Sequence, residues 1–584
     1  MDRKGIVQFL KSFVKQQKSE VNYGTYRETN RASLLNDGLG TRANSVWKQS
    51  QFVVAYRNED ETADNSASYL KGWAELTRGI FDQYLILECP KSVWTAYDKN
   101  GNMIDLESLK NVPQKEIQKS TMPHKSYSSI VKGTNKHLSY LTALRTKPFM
   151  LLAGISGTGK SRIVRKLAQA TVTEELQRLD GYKGTDFAND RWTLHSPANF
   201  ELIQVKPNWH NSMDVIGYLS NIPSPHYVFT PFIEFIVKAW QHREVPFFLC
   251  LDEMNLAPVE EYFAEFLSAI ESRSFEDGEY MTDPIIKPFN SFGEDVANTM
   301  VNTLFPDFKA SDTESEIVKV ITHLRTRGLT LPKNLIVIGT VNMDETTFSF
   351  SRKVLDRAMS VEMNEVNYDS FLTGTTDDEL KAIVKAFEEN GDADLNALLV
   401  DRHIEAREII DELGEDAQFA IDYLKRINSL LEGTPFKLGY RAANEALIYL
   451  QVAHELGQAD RIAALDNFTL MKILSRIEGD ETKLKITDSE ADKERIDNAG
   501  VNVDAAKQYG DLNILTALRN IITDQLNEFV NTDVDSDVAE KMAAESSGEK
   551  IVSTEQNKKV LQSVKKIDSM LSQLKRDHFV SNWN

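Results

Sequence analysis

Short uninterrupted apolar runs alternate with helical patterns through the middle of the chain. Three runs, at 149–153, 247–251 and 335–339, have the length and composition of strands that are buried on both faces. A helical pattern follows the first run, and a further strand is expected within 191–205. Strands that alternate with helices predict a parallel sheet between helical layers. We therefore expect an α/β core over residues 135–365.

Helical periodicity continues beyond this core. Apolar residues recur at helical spacing in two sets, Leu380, Ile383, Val384 and Phe387, and later Ala446, Leu447, Leu450 and Ala453. They predict an α-helical lid with an inserted region over residues 366–530. Residues 531–550 are acidic and rich in Ser and Ala, which predicts a flexible linker.

The C-terminal residues 551–584 resume a helical pattern. An apolar stripe with basic residues beside it consists of Val560, Val564, Ile567, Leu571 and Leu574. Such a stripe predicts an amphipathic helix that packs against another surface. We favour packing on the lid, and the docking of a partner or of DNA is the alternative.

The first part of the chain predicts a separate α+β domain over residues 1–130. Segments 51–56 and 84–87 are typical of strands, and we expect a helix over 66–78 between them. The polar segment 112–135 is the candidate linker to the core. No repeat, metal cluster or catalytic set in this domain indicates its role.

Composition narrows the class of protein. A hydrophobic fraction of 41% and a charged fraction of 26% are ordinary for a globular protein. No apolar stretch is long enough to span a membrane, and the N-terminus lacks a secretory pattern, so we expect a cytoplasmic protein with no membrane partner. Two cysteines, Cys89 and Cys250, exclude a disulfide framework. The net charge of −20 argues against attraction of the whole surface to DNA but leaves room for a local basic groove.

The first apolar run leads directly into the motif G-I-S-G-T-G-K-S at 154–161. This motif fits the phosphate-binding loop G-x-x-x-x-G-K-[ST] in its strand, loop and helix context. Glycines let backbone N–H groups surround phosphates, and the following helix adds a favourable dipole. Lys160 would reach the β- and γ-phosphates and Ser161 would hold Mg²⁺. The predicted nucleotide-binding residues are Gly154, Ser156, Gly157, Thr158, Gly159, Lys160 and Ser161.

Polar residues follow the other two apolar runs. The second run ends in Asp252 and Glu253, and the third leads to Asn342. Ligands of such sheets bind at the carboxyl ends of the strands. We expect Asp252 to hold Mg²⁺, Glu253 to polarise an attacking water, and Asn342 to hydrogen-bond the γ-phosphate and that water.

These motifs resemble the AAA+ superfamily of P-loop ATPases, and more narrowly its McrB-like branch, over residues 135–365. The narrower likeness rests on the segments 208–218, 252–256, 339–347 and 353–357, and extends to Gly-Tyr-Arg at 439–441 in the lid. By this resemblance Asn342 takes the sensor-1 position. Arg357 resembles a trans-acting arginine finger, Arg352 is a second finger candidate, and Arg441 resembles the sensor-2 arginine; a surface ion pair is the alternative for each arginine.

McrB-like proteins are motor subunits of modification-dependent restriction systems. The resemblance therefore implies a homo-oligomeric, hexameric ring that hydrolyses a nucleotide with Mg²⁺ and acts on DNA for a nuclease on another chain. No nuclease carboxylate cluster is recognisable here. A protein-remodelling ATPase of the MoxR kind and a slow nucleotide-gated scaffold are the alternatives. In this branch the sensor-1 pattern linked with GTP is Met-Asn-Thr-x-Asp. Here only Met343 separates Asn342 from Asp344, so the aspartate lies one position closer to the asparagine. We therefore expect ATP, with GTP as the alternative.

Overall fold

A computed structural model describes sixteen parts of the chain. They are residues 51–57, 69–75, 86–88, 95–97, 103–104, 136–276, 279–306, 308, 316–343, 348, 350–364, 378–389, 395–400, 404–458, 460–527 and 561–581. The chain divides into two compact units, residues 1–124 and 125–584. The linkers predicted at 112–135 and 531–550 lie outside the described residues.

The first unit contains a five-stranded sheet of order β2-β1-β3-β4-β5. Its strands are β1 (Gln51–Arg57), β2 (Tyr69–Glu75), β3 (Ile86–Glu88), β4 (Thr95–Tyr97) and β5 (Met103–Ile104). The helix predicted over 66–78 is wrong, because β2 pairs antiparallel with β1 along its whole length. That segment carries Tyr69 and Trp73, residue types that favour strands, and the pairing with β1 satisfies its backbone groups. The third strand was expected at 84–87 and lies at Ile86–Glu88.

A second five-stranded sheet forms the centre of the second unit. Its strands are β6 (Phe149–Gly154), β7 (Phe200–Gln204), β10 (Phe247–Asp252), β13 (Leu335–Asn342) and β14 (Met359–Glu362). The order is β14-β6-β13-β10-β7, and every pairing is parallel. All residues of β6, and all but the last of β10 and β13, are buried, as expected for strands covered on both faces. The predicted parallel α/β sheet is confirmed.

Two small hairpins lie outside this sheet. They are formed by β8 (Tyr218–Ser220) with β9 (His226–Val228), and by β11 (Ser274–Glu276) with β12 (Glu279–Met281). An Asp-Gly pair at 277–278, a common hairpin turn signal, predicts the second hairpin.

Helices flank the central sheet on both faces. They are α1 (Lys136–Thr146), α2 (Lys160–Thr171), α3 (Glu174–Leu179), α4 (Phe187–Asp190), α5 (Met213–Ile216), α6 (Pro231–Gln241), α7 (Val259–Tyr262), α8 (Ala264–Ala269), α9 (Glu294–Leu304), α10 (Glu316–Arg327) and α11 (Arg352–Leu355).

The apolar spacing over 256–273 predicts one amphipathic helix, and the structure instead has the two short helices α7 and α8. Phe263 interrupts them with φ −114° and ψ 16°, and its buried ring contacts the rings of Phe149, Phe232 and Phe266. Burial of this ring in the core stabilises the break.

The described residues between 378 and 527 are largely helical, and we call this segment the lid. Its helices are α12 (Asp378–Glu389), α13 (Leu395–Val400), α14 (Ile410–Leu413), α15 (Glu415–Leu430), α16 (Tyr440–Glu455), α17 (Arg461–Phe468), α18 (Glu481–Leu484), α19 (Glu490–Ala499), α20 (Val503–Lys507) and α21 (Ile514–Asn527). A π-helical turn, Thr469–Ile473, follows α17. The apolar positions that predicted α12 and α16 are buried in one continuous core cluster, which also covers one face of the central sheet.

The C-terminal helix α22 (Gln562–Asp577) packs into the same cluster through Ile567, Met570 and Leu574. The structure therefore supports packing on the lid. The strand β16 (Phe579–Ser581) then pairs with β15 (Glu478–Asp480) of the lid. Within the described ranges, every helix is too short or too polar to cross a lipid bilayer.

Candidate nucleotide site

The loop 154–161 connects β6 to α2 with its middle exposed. Gly157 and Gly159 have φ values of 83° and 85°, in the left-handed region where glycine is strongly favoured. Residues 155–157 are exposed, and α2 begins at Lys160. The exposed part of the loop therefore lies at the N-terminus of a twelve-residue helix. The N-terminus of a helix favours the binding of anions.

Contacts within the loop hold its shape. The Lys160 ammonium donates hydrogen bonds of 2.9 and 2.8 Å to the carbonyls of Gly154 and Ile155, and its side chain is buried. The Thr158 hydroxyl donates to the same Ile155 carbonyl at 3.0 Å. A Cβ at Gly154 would lie 2.4 Å from the Met363 carbonyl oxygen, so only glycine allows the segment after β14 to come this close.

Three strands bring the predicted Mg²⁺ ligands together. The Ser161 hydroxyl donates a hydrogen bond of 2.6 Å to Asp252 Oδ1, and the Thr340 hydroxyl donates to the same oxygen at 2.7 Å. Asp252 ends β10, and Thr340 lies on the adjacent strand β13, which also pairs with β6. The carboxyl edges of β6, β13 and β10 therefore meet at one point, as expected for a ligand site in a parallel sheet.

Glu253 has a strained backbone. Its φ of 54° and ψ of 50° are left-handed values, which are uncommon for a residue with a side chain and cost about 1–3 kcal/mol. Its amide donates to the Thr340 hydroxyl at 3.0 Å, and its carboxylate accepts from the Asn342 side-chain amide at 3.3 Å. These contacts place the predicted catalytic carboxylate beside the predicted sensor amide.

The side chains at this edge fit Mg²⁺ and a phosphate ligand. Mg²⁺ is held in phosphate sites by one or two carboxylates, a hydroxyl, water and the phosphates themselves. Ser161 and Asp252 supply the hydroxyl and the carboxylate in direct contact with each other. In the described part of the chain no group of three or more His, Cys, Asp or Glu side chains is arranged to hold a metal ion. The contact of Ser161 with Asp252 leaves the other positions around Mg²⁺ to water and phosphate oxygens.

Arg357 and Arg441, which were assigned roles by resemblance, both contact the Glu271 carboxylate. Arg441 forms an ion pair with Glu271, and Arg357 Nε lies 3.8 Å from the same carboxylate. Arg357 also donates to the Lys353 carbonyl at 3.1 Å. Among the described residues, neither arginine has a polar contact with the loop 154–161. The guanidinium of Arg352, the second finger candidate, lies 5.4 Å from the centre of the Phe436 ring.

Behind Arg357, buried lid residues hold the segment that carries it. Lys472, in the π-helical turn, is fully buried and donates to the carbonyls of Asp356 at 2.7 Å, Ala358 at 2.9 Å and Leu355 at 3.5 Å. Its fourth partner is Glu445 at 2.7 Å. Arg476 forms an ion pair with the Asp356 carboxylate. The lid therefore contacts both the backbone and a side chain of the turn after α11.

Glu445 is shared between two buried lysines. Its carboxylate contacts Lys472 and also Lys147, whose ammonium lies 3.3 Å from Glu271. Burial raises the pKa of the Glu445 carboxyl, but the charges of Lys147 and Lys472 outweigh burial and hold it at about 2. Burial lowers the pKa of the Lys472 ammonium, and the charge of Glu445 opposes this shift. We favour the charged pair, because four oxygens surround the Lys472 ammonium and a neutral amine has fewer hydrogens to donate.

Sequence reasoning gave no role to several residues at this site. Thr340 follows an apolar run, and a hydroxyl beside a strand-end carboxylate is a usable signal. Glu271 lies in no local sequence pattern, because its role depends on contacts with distant segments. Asp344, on which the expectation of ATP over GTP rests, lies outside the described residues.

A comparison with protein families gives one match. Residues 404–579 are similar to a family described as a domain of unknown function (DUF8727). The matched segment comprises lid helices and α22, and the loop 154–161 lies outside it. A search of curated proteins finds no match to the chain.

Proposed function

We propose that this protein is an ATPase of the AAA+ superfamily, similar to the McrB-like branch. In this proposal GTP is the alternative substrate, and the chain acts in a hexameric ring that moves or remodels DNA for a separate nuclease subunit. The observation that supports it best is the contact of the loop residue Ser161 with Asp252, next to Glu253 and Asn342 at the same sheet edge. The strand order around β6 is compatible with that superfamily.

Each residue at the sheet edge has a task in this proposal. The loop amides and Lys160 bind the phosphates, while Ser161 and Asp252 would hold Mg²⁺, which supplies charge stabilisation when bound. Glu253 takes a proton from water at its carboxylate, and Asn342 orients both that carboxylate and the water. The left-handed backbone of Glu253 directly follows the end of β10, and the carboxylate contacts Asn342 at the end of β13.

The arginines support the ring in this proposal. Arg357 and Arg441 contact Glu271 and, among the described residues, make no polar contact with the loop of their own chain, as expected for Arg357 if it completes a neighbour's site. A single chain would then hydrolyse ATP slowly, and turnover per chain would rise with protein concentration as rings form.

Phosphate release with ATP or GTP, measured with and without double-stranded DNA, tests the proposal. We expect Mg²⁺-dependent hydrolysis that prefers ATP, that DNA stimulates, and that rises when sizing shows a hexamer. Absence of nucleotide binding would overturn the proposal as a whole. Hydrolysis that DNA does not affect would remove the DNA-acting role and leave the ATPase.

A protein-remodelling ATPase of the MoxR kind is the second candidate. It is favoured by the hairpin β8–β9, where Tyr218, Leu219 and Ile222 are 48%, 42% and 81% exposed. Clustered exposed apolar side chains mark surfaces that contact other polypeptides. Stimulation of hydrolysis by an unfolded polypeptide, and not by DNA, would select this candidate.

A further inference from the structure

An asparagine beyond the last core strand contacts the start of the phosphate loop. The Ile155 amide donates a hydrogen bond of 3.0 Å to Asn364 Oδ1. Asn364 follows β14 by two residues, and a Cβ added at Gly154 would lie 2.9 Å from this same oxygen. The second residue of the loop is therefore fixed by a side chain that belongs to neither the loop nor α2.

The amide group of Asn364 is itself oriented by a carboxylate. Its Nδ2 donates to Glu362 Oε1 at 2.6 Å and lies 3.7 Å from the sulfur of Met343, the residue after Asn342. Because the NH₂ group faces Glu362, the carbonyl oxygen faces the loop. This arrangement connects the loop with the end of β13.

The C-terminal helix occupies the other oxygen of that carboxylate. Lys566 of α22 lies 2.6 Å from Glu362 Oε2, and the two side chains are 13% and 33% exposed. Glu362 thus accepts from Asn364 through one oxygen and from Lys566 through the other. A continuous polar chain runs from α22 through Glu362 and Asn364 to the Ile155 amide.

We propose that Asn364 is a positioning residue of the phosphate loop, and that Lys566 of the C-terminal helix sets its orientation through Glu362. This inference rests on the proposed nucleotide function. A loop with one amide already fixed loses less conformational entropy when a nucleotide binds, so the hydrogen bond increases affinity without touching the phosphates. Lys566 contributes by holding Glu362 where Asn364 can donate to it.

The coupling is reciprocal, since two linked binding events affect each other equally. A nucleotide in the loop should stabilise the docked position of α22, and an undocked α22 should weaken nucleotide binding. The sheet-edge residues Glu253 and Asn342 are outside this chain of contacts, so the turnover of bound nucleotide should change little.

The test measures binding of a fluorescent ATP analogue to the full chain, with the unfolding temperature recorded without nucleotide. Asn364→Ala should weaken binding about tenfold, because the Ile155 amide loses its acceptor. It should raise KM with kcat near the wild-type value.

Lys566→Met should weaken binding about threefold, since its partly exposed ion pair is weaker than a buried one. Lys565→Met is the matched control, because Lys565 is the exposed neighbour on the same helix, and it should bind as the wild type does.

The double variant Asn364→Ala with Lys566→Met decides whether Lys566 acts through Asn364. If it does, the double variant binds as weakly as Asn364→Ala alone, and the two effects do not add. Additive effects, or an Asn364→Ala protein that binds like the wild type, would overturn the inference. Should Asn364→Ala not fold, equal affinities of Lys566→Met and Lys565→Met would overturn it instead. A wild-type chain that binds no nucleotide would instead remove the proposed function.

Discussion

Ser161 and Asp252 lie 91 positions apart in the sequence and share a hydrogen bond of 2.6 Å. Ser161 lies in the first turn of the helix after β6 and Asp252 ends β10, with β13 between the two strands. The contact joins the loop 154–161 to the sheet edge where β10 ends in Asp252.

Replacement of Lys160 by Ala should abolish nucleotide hydrolysis, with at least about a hundredfold loss of turnover, because a charge that contacts the phosphates is removed. The measurement is phosphate release at saturating nucleotide. Lys183→Ala, which removes an exposed lysine, is the control and should keep its activity. Normal turnover by Lys160→Ala would remove the assignment of the loop.

Glu253→Gln should bind nucleotide and fail to hydrolyse it. The amide keeps the size of the side chain and can still contact Asn342, but it cannot accept a proton from water. Bound nucleotide, recovered by filtration and separated by chromatography, should remain the triphosphate. Glu260→Gln changes an exposed carboxylate nearby and should turn over normally. If Glu253→Gln also turned over normally, another acid would be the base.

Arg357→Ala should be nearly inactive although its own loop still binds nucleotide. Arginine fingers contribute about 10³ to 10⁵ in turnover in phosphoryl-transfer enzymes. Mixed with Lys160→Ala, which still offers Arg357, it should recover activity in rings that contain both variants. The measurement is turnover at fixed total protein over a range of ratios, with sizing to confirm mixed assembly.

Two outcomes of that mixing experiment count against a trans-acting Arg357. One is a set of mixed rings that stay inactive at every ratio, and the other is an Arg357→Ala protein that is active alone. Arg352 would then be the next residue to substitute, since it begins α11, the helix that precedes Arg357.

Glu445→Gln should lower the free energy of unfolding by about 3 kcal/mol near neutral pH, because Lys147 and Lys472 remain buried without their shared carboxylate. The pKa of Glu445 falls from 4.5 in the unfolded chain to about 2 in the folded chain. The contribution of Glu445 to the free energy of unfolding is therefore complete above pH 4.5 and is lost as the pH falls toward 2. Denaturant unfolding at pH 7 and pH 3 should show the gap between wild type and variant shrinking at the lower pH. Glu494→Gln, on an exposed lid position, should change stability by less than about 0.5 kcal/mol.

The sequence predicted the parts of the site that local patterns encode. The loop, the strands around it and the acids after β10 are continuous in sequence, so apolar runs and glycine spacing were sufficient. The strand β2 was missed, because its pairing with β1 overrides a weak helical pattern. The interruption between α7 and α8 at Phe263 was missed for a similar reason. It depends on contacts of the Phe263 ring with Phe149 and Phe232, which are distant in the sequence. Glu271 and Asn364 have functions only through partners that the fold brings close.

The contacts of Lys472 determine where the chain can be divided. This lysine lies within 404–579, whereas its carbonyl partners at 355, 356 and 358 lie before that segment. A fragment that begins at 404 would also separate Glu445 from Lys147 and leave charges without partners in an exposed apolar surface. We expect such a fragment to aggregate or to melt without cooperativity, which calorimetry of the purified fragment would check. Residue 404, where the similarity to the family begins, is therefore unsuitable as the start of an expressed fragment. A soluble fragment has to begin before α1.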